Sequence, residues 1–345
     1  MKKVFSILVA AAITASALAQ RSDSKPVVTK ALSDAGIKDV YAETTGGNIS
    51  IAGVASEARL EVYAEPSNWK ANKLSEQEIK DKLQNEYDLK IDVASNKLTV
   101  IAKPKDRHIN WKKALSISFK IYVPKDVSTD LNTSGGNIDL ANLTGKLKFA
   151  TSGGNLTIND AGGKIDGTTS GGNINIANAK DEIDLTTSGG NIDASDCSGK
   201  VELTTSGGNL HLKKVNGNIK ATTSGGDVTG DNIEGDLTAG TSGGNLRLTD
   251  LSCSLNGSTS GGNITVEMVK LGDHLKLSNS GGDISVQLPK NTAADLTITG
   301  DKIHTDRLEN FSGKVEDEKI EGKINGGGPS VTIKSNGGRV NLALK

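Results

Sequence analysis

The sequence predicts an all-β fold, a single-stranded β-solenoid (β-helix) with 18-residue coils, each built of two 9-residue half-coils. An N-terminal cap carrying one helix and a C-terminal cap close its ends. Three observations predict this. A Gly-Gly pair begins at Gly135, Gly153, Gly171, Gly189, Gly207, Gly225, Gly243 and Gly261, always 18 residues apart, and again at Gly281 after 20. A looser second half follows nine residues on, as in Gly145-Lys146-Leu147 and Gly163-Lys164-Ile165. Within each half, apolar and polar residues alternate, the mark of a strand with one buried face.

Stacking the coils turns this alternation into columns. Two residues after each second glycine stand Ile138, Leu156, Ile174, Ile192, Leu210, Val228, Leu246, Ile264 and Ile284. The second half gives Leu147, Ile165, Ile183, Val201, Ile219, Leu237 and Leu255. A corner column is expected at Leu143, Ala161, Ala179, Cys197, Val215, Ile233, Leu251 and Val269. At about 4.8 Å per coil, nine coils make a rod about 43 Å long.

The repeated Thr-Ser-Gly-Gly-Asn has a backbone purpose. A tight corner needs positive φ or close chain approach, and glycine permits both. The Asn column from Asn137 is expected to bond coil to coil as an amide ladder, and the Thr column from Thr133 to do so with hydroxyls. Both are scaffold on this reading.

The chain opens with a signal-peptide pattern: Lys2 and Lys3, an apolar run from Val4 to Ala15, and Ala17-Leu18-Ala19, which predicts cleavage before Gln20. No later segment is long and apolar enough to span a membrane. The expected divisions are a signal peptide over 1–19, an irregular coil and cap with one helix over 20–130, regular coils over 131–290, and last coils with a C-terminal cap over 291–345. Within the cap, Thr45-Gly46-Gly47-Asn48-Ile49 is one opening coil. Strands are expected at Arg59–Tyr63, Lys90–Val93, Lys97–Ala102 and Leu115–Val123. Ser75 and Glu78 form a capping box, flanked by Leu74 and Ile79 at staple positions.

Removing Lys2 and Lys3 leaves 38 basic against 41 acidic residues, a net charge of −3, which argues against a nucleic-acid partner. Cys197 and Cys253 fall three coils apart, about 14 Å, too far for a disulfide. Calcium-binding nonapeptides need Gly-Gly-x-Gly-x-Asp, and Gly172-Asn173-Ile174 breaks that pattern. Asp166, Asp184 and Glu202 stack on successive coils, with Lys148, Lys164 and Lys200 beside them, and form a solvated charge lattice on this reading. His108, His211, His274 and His304 are scattered. The adjacent Thr-Thr pairs point to opposite faces, unlike an ice-binding surface. No catalytic, cofactor-binding or metal-binding residue is expected. The residues expected at a partner-binding surface are Trp69, Trp111, Tyr63 and Tyr87, which lie with Tyr122 in the irregular N-terminal part, where aromatic faces can stack on sugars or peptides.

The repeated Ser-Gly-Gly-Asn-Ile, the early Thr-Gly-Gly-Asn-Ile-Ser-Ile, Val123-Pro124 and the closing Gly-Lys-Ile-Asn-Gly-Gly-Gly resemble the bacterial putative-adhesin domain of exported β-solenoids, over nearly all of residues 40 to 345. The resemblance implies a secreted or cell-envelope solenoid, adhesive in character, and supplies no site residues. The expected function is therefore a non-enzymatic, adhesin-like interaction protein in the periplasm, at the outer surface or outside the cell. Its expected partner is an envelope or surface glycan or protein. The alternative is a periplasmic structural or envelope-stress component that binds envelope polymers or a partner protein. A polysaccharide-active enzyme is third.

Overall fold

The structure, a computed structural model, describes residues 25–32, 36–68, 74–106, 110 and 114–345. The expected signal peptide, His108, Trp69 and Trp111 lie outside these residues.

The regular coils are strands β9 (Ile138–Thr151), β10 (Leu156–Thr169), β11 (Ile174–Thr187), β12 (Ile192–Thr205), β13 (Leu210–Thr223), β14 (Val228–Gly240), β15 (Leu246–Thr259) and β16 (Ile264–Asn279). Neighbours pair in parallel at a register of 18 residues, as in Leu156↔Ile174 and Ile174↔Ile192. Each strand from β9 to β15 has a residue with positive φ at Asn142, Asp160, Asn178, Asp196, Lys214, Asn232 or Asp250, and β10 to β14 have a second three residues on, at Gly163, Asp181, Gly199, Gly217 and Gly235. Asn and Asp tolerate this left-handed geometry best after glycine, so these two columns, each repeating every 18 residues, turn the chain. The first part of each strand builds one sheet and the second part another. The two sheets enclose a single core in which Ile138, Leu156, Ile174, Leu147 and Ile165 are fully buried.

The Gly-Gly pair acts through close approach, and neither glycine of the regular pairs has positive φ. A Cβ on the second glycine, such as Gly154 or Gly172, would collide with the carbonyl oxygen of the second glycine one coil earlier. A Cβ on the first would not; at Gly171 the nearest atom would be the Ser152 oxygen at 3.7 Å.

Both polar columns bond to backbone, and at one step Asn245 Nδ2 also donates to the Asp227 carboxylate of its own column at 3.2 Å. Thr151 Oγ1 donates to the Gly136 carbonyl one coil back and accepts from its own coil's Gly154 N–H. The Asn137 side-chain oxygen accepts the Asn155 N–H at 2.8 Å, and the relation repeats up the rod. The expected coil-to-coil bonding is present, with backbone as the partner.

The corner column departs from expectation at its end. Met268 is buried and aligns with Leu251, while Val269 is 57% exposed. This coil is two residues longer, and the register shifts between Leu251 and Ser252 expel Val269 from the column.

The ends interleave. Strands β2 (Asp39–Thr44) and β3 (Ile49–Gly53) form the opening coil. It is not outermost: β6 (Lys97–Pro104) and β7 (Leu115–Val123) stack outside it, and β8 (Ser128–Thr133) and β9 inside. Antiparallel strands finish the cap, β4 (Arg59–Pro66) on β7, β1 (Val28–Ala31) on β4, and β5 (Tyr87–Ala94) on β6. Helix α1 (Glu76–Glu86) starts with both halves of the Ser75–Glu78 capping box and buries Leu83.

The C-terminus repeats the device. Strands β22 (Ser330–Ser335) and β23 (Arg339–Leu344) slot between the last coil, β16 and β17 (Ile284–Leu288), and an outer layer of β18 (Ala294–Thr299) and β19 (Lys302–Thr305). Strands β20 (Phe311–Val315) and β21 (Lys319–Ile324) extend β18 antiparallel. Among the described residues, no helix is long and apolar enough to cross a membrane.

Candidate functional site

All four tyrosines and both tryptophans precede residue 131. The antiparallel pairing of β4 and β7 gathers two of the tyrosines on one outer face. Its register sets Arg59 opposite Tyr122, Glu61 opposite Lys120 and Tyr63 opposite Ser118. The period of two sends Leu60, Val62, Ile117, Phe119 and Ile121 into the core and turns Arg59, Glu61, Tyr63, Lys120 and Tyr122 outward.

These five side chains hold one another. The Arg59 guanidinium lies 3.8 Å from the centroid of the Tyr122 ring, and the Lys120 ammonium 4.8 Å from that of Tyr63. Arg59 Nε donates to Glu61 Oε1 at 2.7 Å, and the Tyr63 hydroxyl donates to Glu61 Oε2 at 2.8 Å. Partial burial works to raise the Glu61 carboxyl, but the bonds from Arg59 and Tyr63 outweigh it and hold it below its ordinary value. Burial, then the Glu61 bond, pushes the Tyr63 hydroxyl up to about 12. The face thus stays a fixed arrangement of rings and paired charges through neutral pH. Beside Tyr122 a notch of about 60 Å³ opens over Ser50 and Ala52.

Of the four residues expected from the sequence, Tyr63 is on this face. Tyr87 is not: it is 5% exposed, and its hydroxyl accepts the Leu115 N–H at 2.7 Å, beneath α1. Trp69 and Trp111 lie outside the described residues. Sequence reasoning misses Arg59, Glu61 and Lys120 as partners. Alternation places the members of each strand on a face, but the antiparallel register that joins them is a tertiary fact.

A second feature lies at the free end of the cap. A groove of about 600 Å³ runs beneath α1, floored by Val27, Val28, Leu83, Tyr87 and Leu89. Lys80, Lys90 and Lys105 rim it, against the one carboxylate of Asp88.

The coils offer different chemistry. Their outer columns are polar, and many of their charges are paired: Lys164 and Lys200 share Glu182 at 3.1 and 3.6 Å, and Lys220 meets Glu202 at 2.6 Å. Asp166, Asp184 and Glu202 are neighbours in register, as expected. Burial, then the charges of Glu202 and Asp166, raises the Asp184 carboxyl. Among the described residues, no group of three or more His, Cys, Asp or Glu side chains is placed to hold a metal. Cys197 and Cys253 are unpaired and buried, and burial pushes the Cys253 thiol up to about 12.

Comparison with curated proteins finds no match. Among solved structures, a "putative cell adhesion protein" from Clostridium sporogenes ATCC 15579 is 11% identical, with 93% of this chain and 100% of that one covered and a TM-score of 0.20. A "putative adhesin" from Bacteroides fragilis NCTC 9343 is 12% identical, with coverage of 93% and 98% and a TM-score of 0.23. Residues 65–236 and 236–343 both match the family described as Toastrack DUF4097, and together they take in most of the cap, the coils and the closing strands. The chain belongs to the Toastrack DUF4097 family.

Proposed function

We propose that this protein is an exported, non-enzymatic component of the cell envelope or its surface, which recognises a glycan or protein partner in the manner of an adhesin. The cap is its recognition end, and the coils are the rod that carries it. One observation supports this above the others: the Arg59–Glu61–Tyr63–Lys120–Tyr122 face is an outward cluster of aromatic rings and charges. Ring edges with fixed donors and acceptors beside them suit sugars and peptides alike. Trp69 and Trp111 are assigned to the same role from their place in the sequence. The coils spend their repeated Thr and Asn groups on backbone, which leaves small polar and charged columns outside. Export rests on Lys2, Lys3, the apolar run to Ala15, and Ala17-Leu18-Ala19.

Isolated bacterial cell envelopes, sedimented with the purified protein, test the reading. Tyr63→Ala combined with Tyr122→Ala should reduce co-sedimentation at least about tenfold while circular dichroism stays unchanged. Retained binding in that folded variant contradicts the assignment. Antibody labelling of intact cells then separates a surface location from a periplasmic structural role.

A further inference from the structure

Among the described residues, each of the two sheets ends at each end of the rod in a strand paired on one side only. One sheet runs from β5 through β6, β2, β8 and the second parts of the coil strands to β22, β18, β21 and β20. Among the described residues β5 pairs with β6 alone and β20 with β21 alone. The two free edges of this one sheet differ in chemistry. At the β5 end, Leu89, Ile91 and Val93 are half-buried, and the groove rimmed by Lys80, Lys90 and Lys105 adjoins. At the β20 end, Val315 is 57% exposed and runs directly into the exposed Glu316-Asp317-Glu318.

We propose that the groove and β5 edge of one molecule receive the β20 edge of a second copy, so that the sheet continues from molecule to molecule, head to tail. An unpaired edge offers a row of backbone donors and acceptors to another strand. Val315 supplies the apolar contact for the groove floor, and Glu316, Asp317 and Glu318 meet its lysines. Charge selects the polarity of the contact. Joining two groove ends would oppose lysine to lysine, and joining two β20 ends would oppose carboxylate to carboxylate. The other sheet does not make the junction by itself, because its free strands β1 and β19 carry exposed Lys30 and Lys302, of like sign. A head-to-tail contact between opposite ends of a rod is heterologous, and where its rotation does not close a ring it builds an open linear chain of rods. None of Arg59, Glu61, Tyr63, Lys120 and Tyr122 of the recognition face lines the groove.

Sedimentation velocity of the purified protein over a rising concentration series tests the proposal. The expected result is a ladder of species that grows with concentration and shrinks in high salt, where exposed charges are screened. Val315→Asp should weaken association about tenfold. So should the triple variant Lys80→Glu, Lys90→Glu, Lys105→Glu, each variant first shown folded by circular dichroism. Glu316→Lys, Asp317→Lys, Glu318→Lys should also weaken it alone and restore it when mixed with the lysine-reversed triple variant. That mixture should again build a ladder, of alternating variants, since the groove of each fits the β20 end of the other. A protein that stays monomeric at every concentration overturns the proposal. So does a closed dimer, or a ladder that the folded variants leave unchanged.

Discussion

The Thr187 hydroxyl donates to the carbonyl oxygen of Gly172, one coil back, at 2.8 Å. The same oxygen is what a Cβ on Gly190 would strike. Thr187 also accepts the Gly190 N–H at 3.3 Å. Thr, the second Gly and the Gly below it are therefore one device, repeated up the rod. Asn279 makes the same contacts with its amide, donating to the Gly262 carbonyl and accepting from Gly281 and Gly282. Near the C-terminus Ser335 donates to the Gly282 carbonyl.

Thr187→Val keeps the shape and removes the hydroxyl, leaving a buried N–H without that partner. It should cost about 1–3 kcal/mol. Thr187→Ser keeps the hydroxyl and should cost less than half as much. Equal losses in denaturant unfolding would show that the hydroxyl contributes nothing.

The two glycines of a pair should behave differently. Gly172→Ala forces two coils apart at the Gly154 carbonyl and should cost about 2–3 kcal/mol. Gly171→Ala has room and should stay within about 0.5 kcal/mol of the parent protein. Similar melting temperatures for the two would contradict close approach as the reason for the motif.

Strand facing is tested by neighbours. Ile174 is fully buried between Leu156 and Ile192, while Asn175 beside it is exposed. Ile174→Asp should cost several kcal/mol, about 3–5, by burying a charge without a partner. Asn175→Asp should cost under about 0.5 kcal/mol. Equal shifts in melting temperature for the two variants would refute the facing.

Asp184 should reveal itself through pH. Burial, then Glu202 and Asp166, raises its carboxyl above the ordinary value in the folded state. A raised acid favours the protonated fold: its contribution is full below the unfolded pKa and is lost as pH rises through the folded one. Asp184→Asn should therefore raise the stability slightly at pH 7, by no more than about 0.5 kcal/mol in this solvated lattice, read as a small rise in melting temperature. The gain should vanish below about pH 4. A gain that persists in acid would point to packing rather than charge.

The 18-residue period makes the coils legible in the sequence alone, because each column repeats its burial from coil to coil. Three features are not legible there. The turn is made by the column from Asn142 to Asp250 together with the one from Gly163 to Gly235, and the first looks in sequence like ordinary polar residues that only their spacing marks. Simple extension of the period puts Val269 in the corner column, and a local register shift between Leu248 and Ser252, ahead of the two-residue insertion between Cys253 and Leu255, sets Met268 there instead. The interleaving of β2–β3 and β22–β23 with later or earlier strands depends on long-range pairing, which local patterns do not encode. At the recognition face, the clustering of aromatics in the N-terminal part points to Tyr63. Its neighbours Lys120 and Tyr122 come from a register between strands more than fifty residues apart.

The central claim is that recognition belongs to the cap and not to the coils. Deleting residues 170–205, two whole periods, joins Thr169 to Ser206 in register and should shorten the rod by about 10 Å. Co-sedimentation of this shortened protein with isolated bacterial cell envelopes, beside Trp69→Ala combined with Trp111→Ala, is the most direct measurement. The account predicts that the shortened rod binds as the full chain does and that the folded double tryptophan variant binds at least about tenfold more weakly. A shortened rod that fails to bind, beside a tryptophan variant that binds normally, would place recognition on the coils and contradict the account.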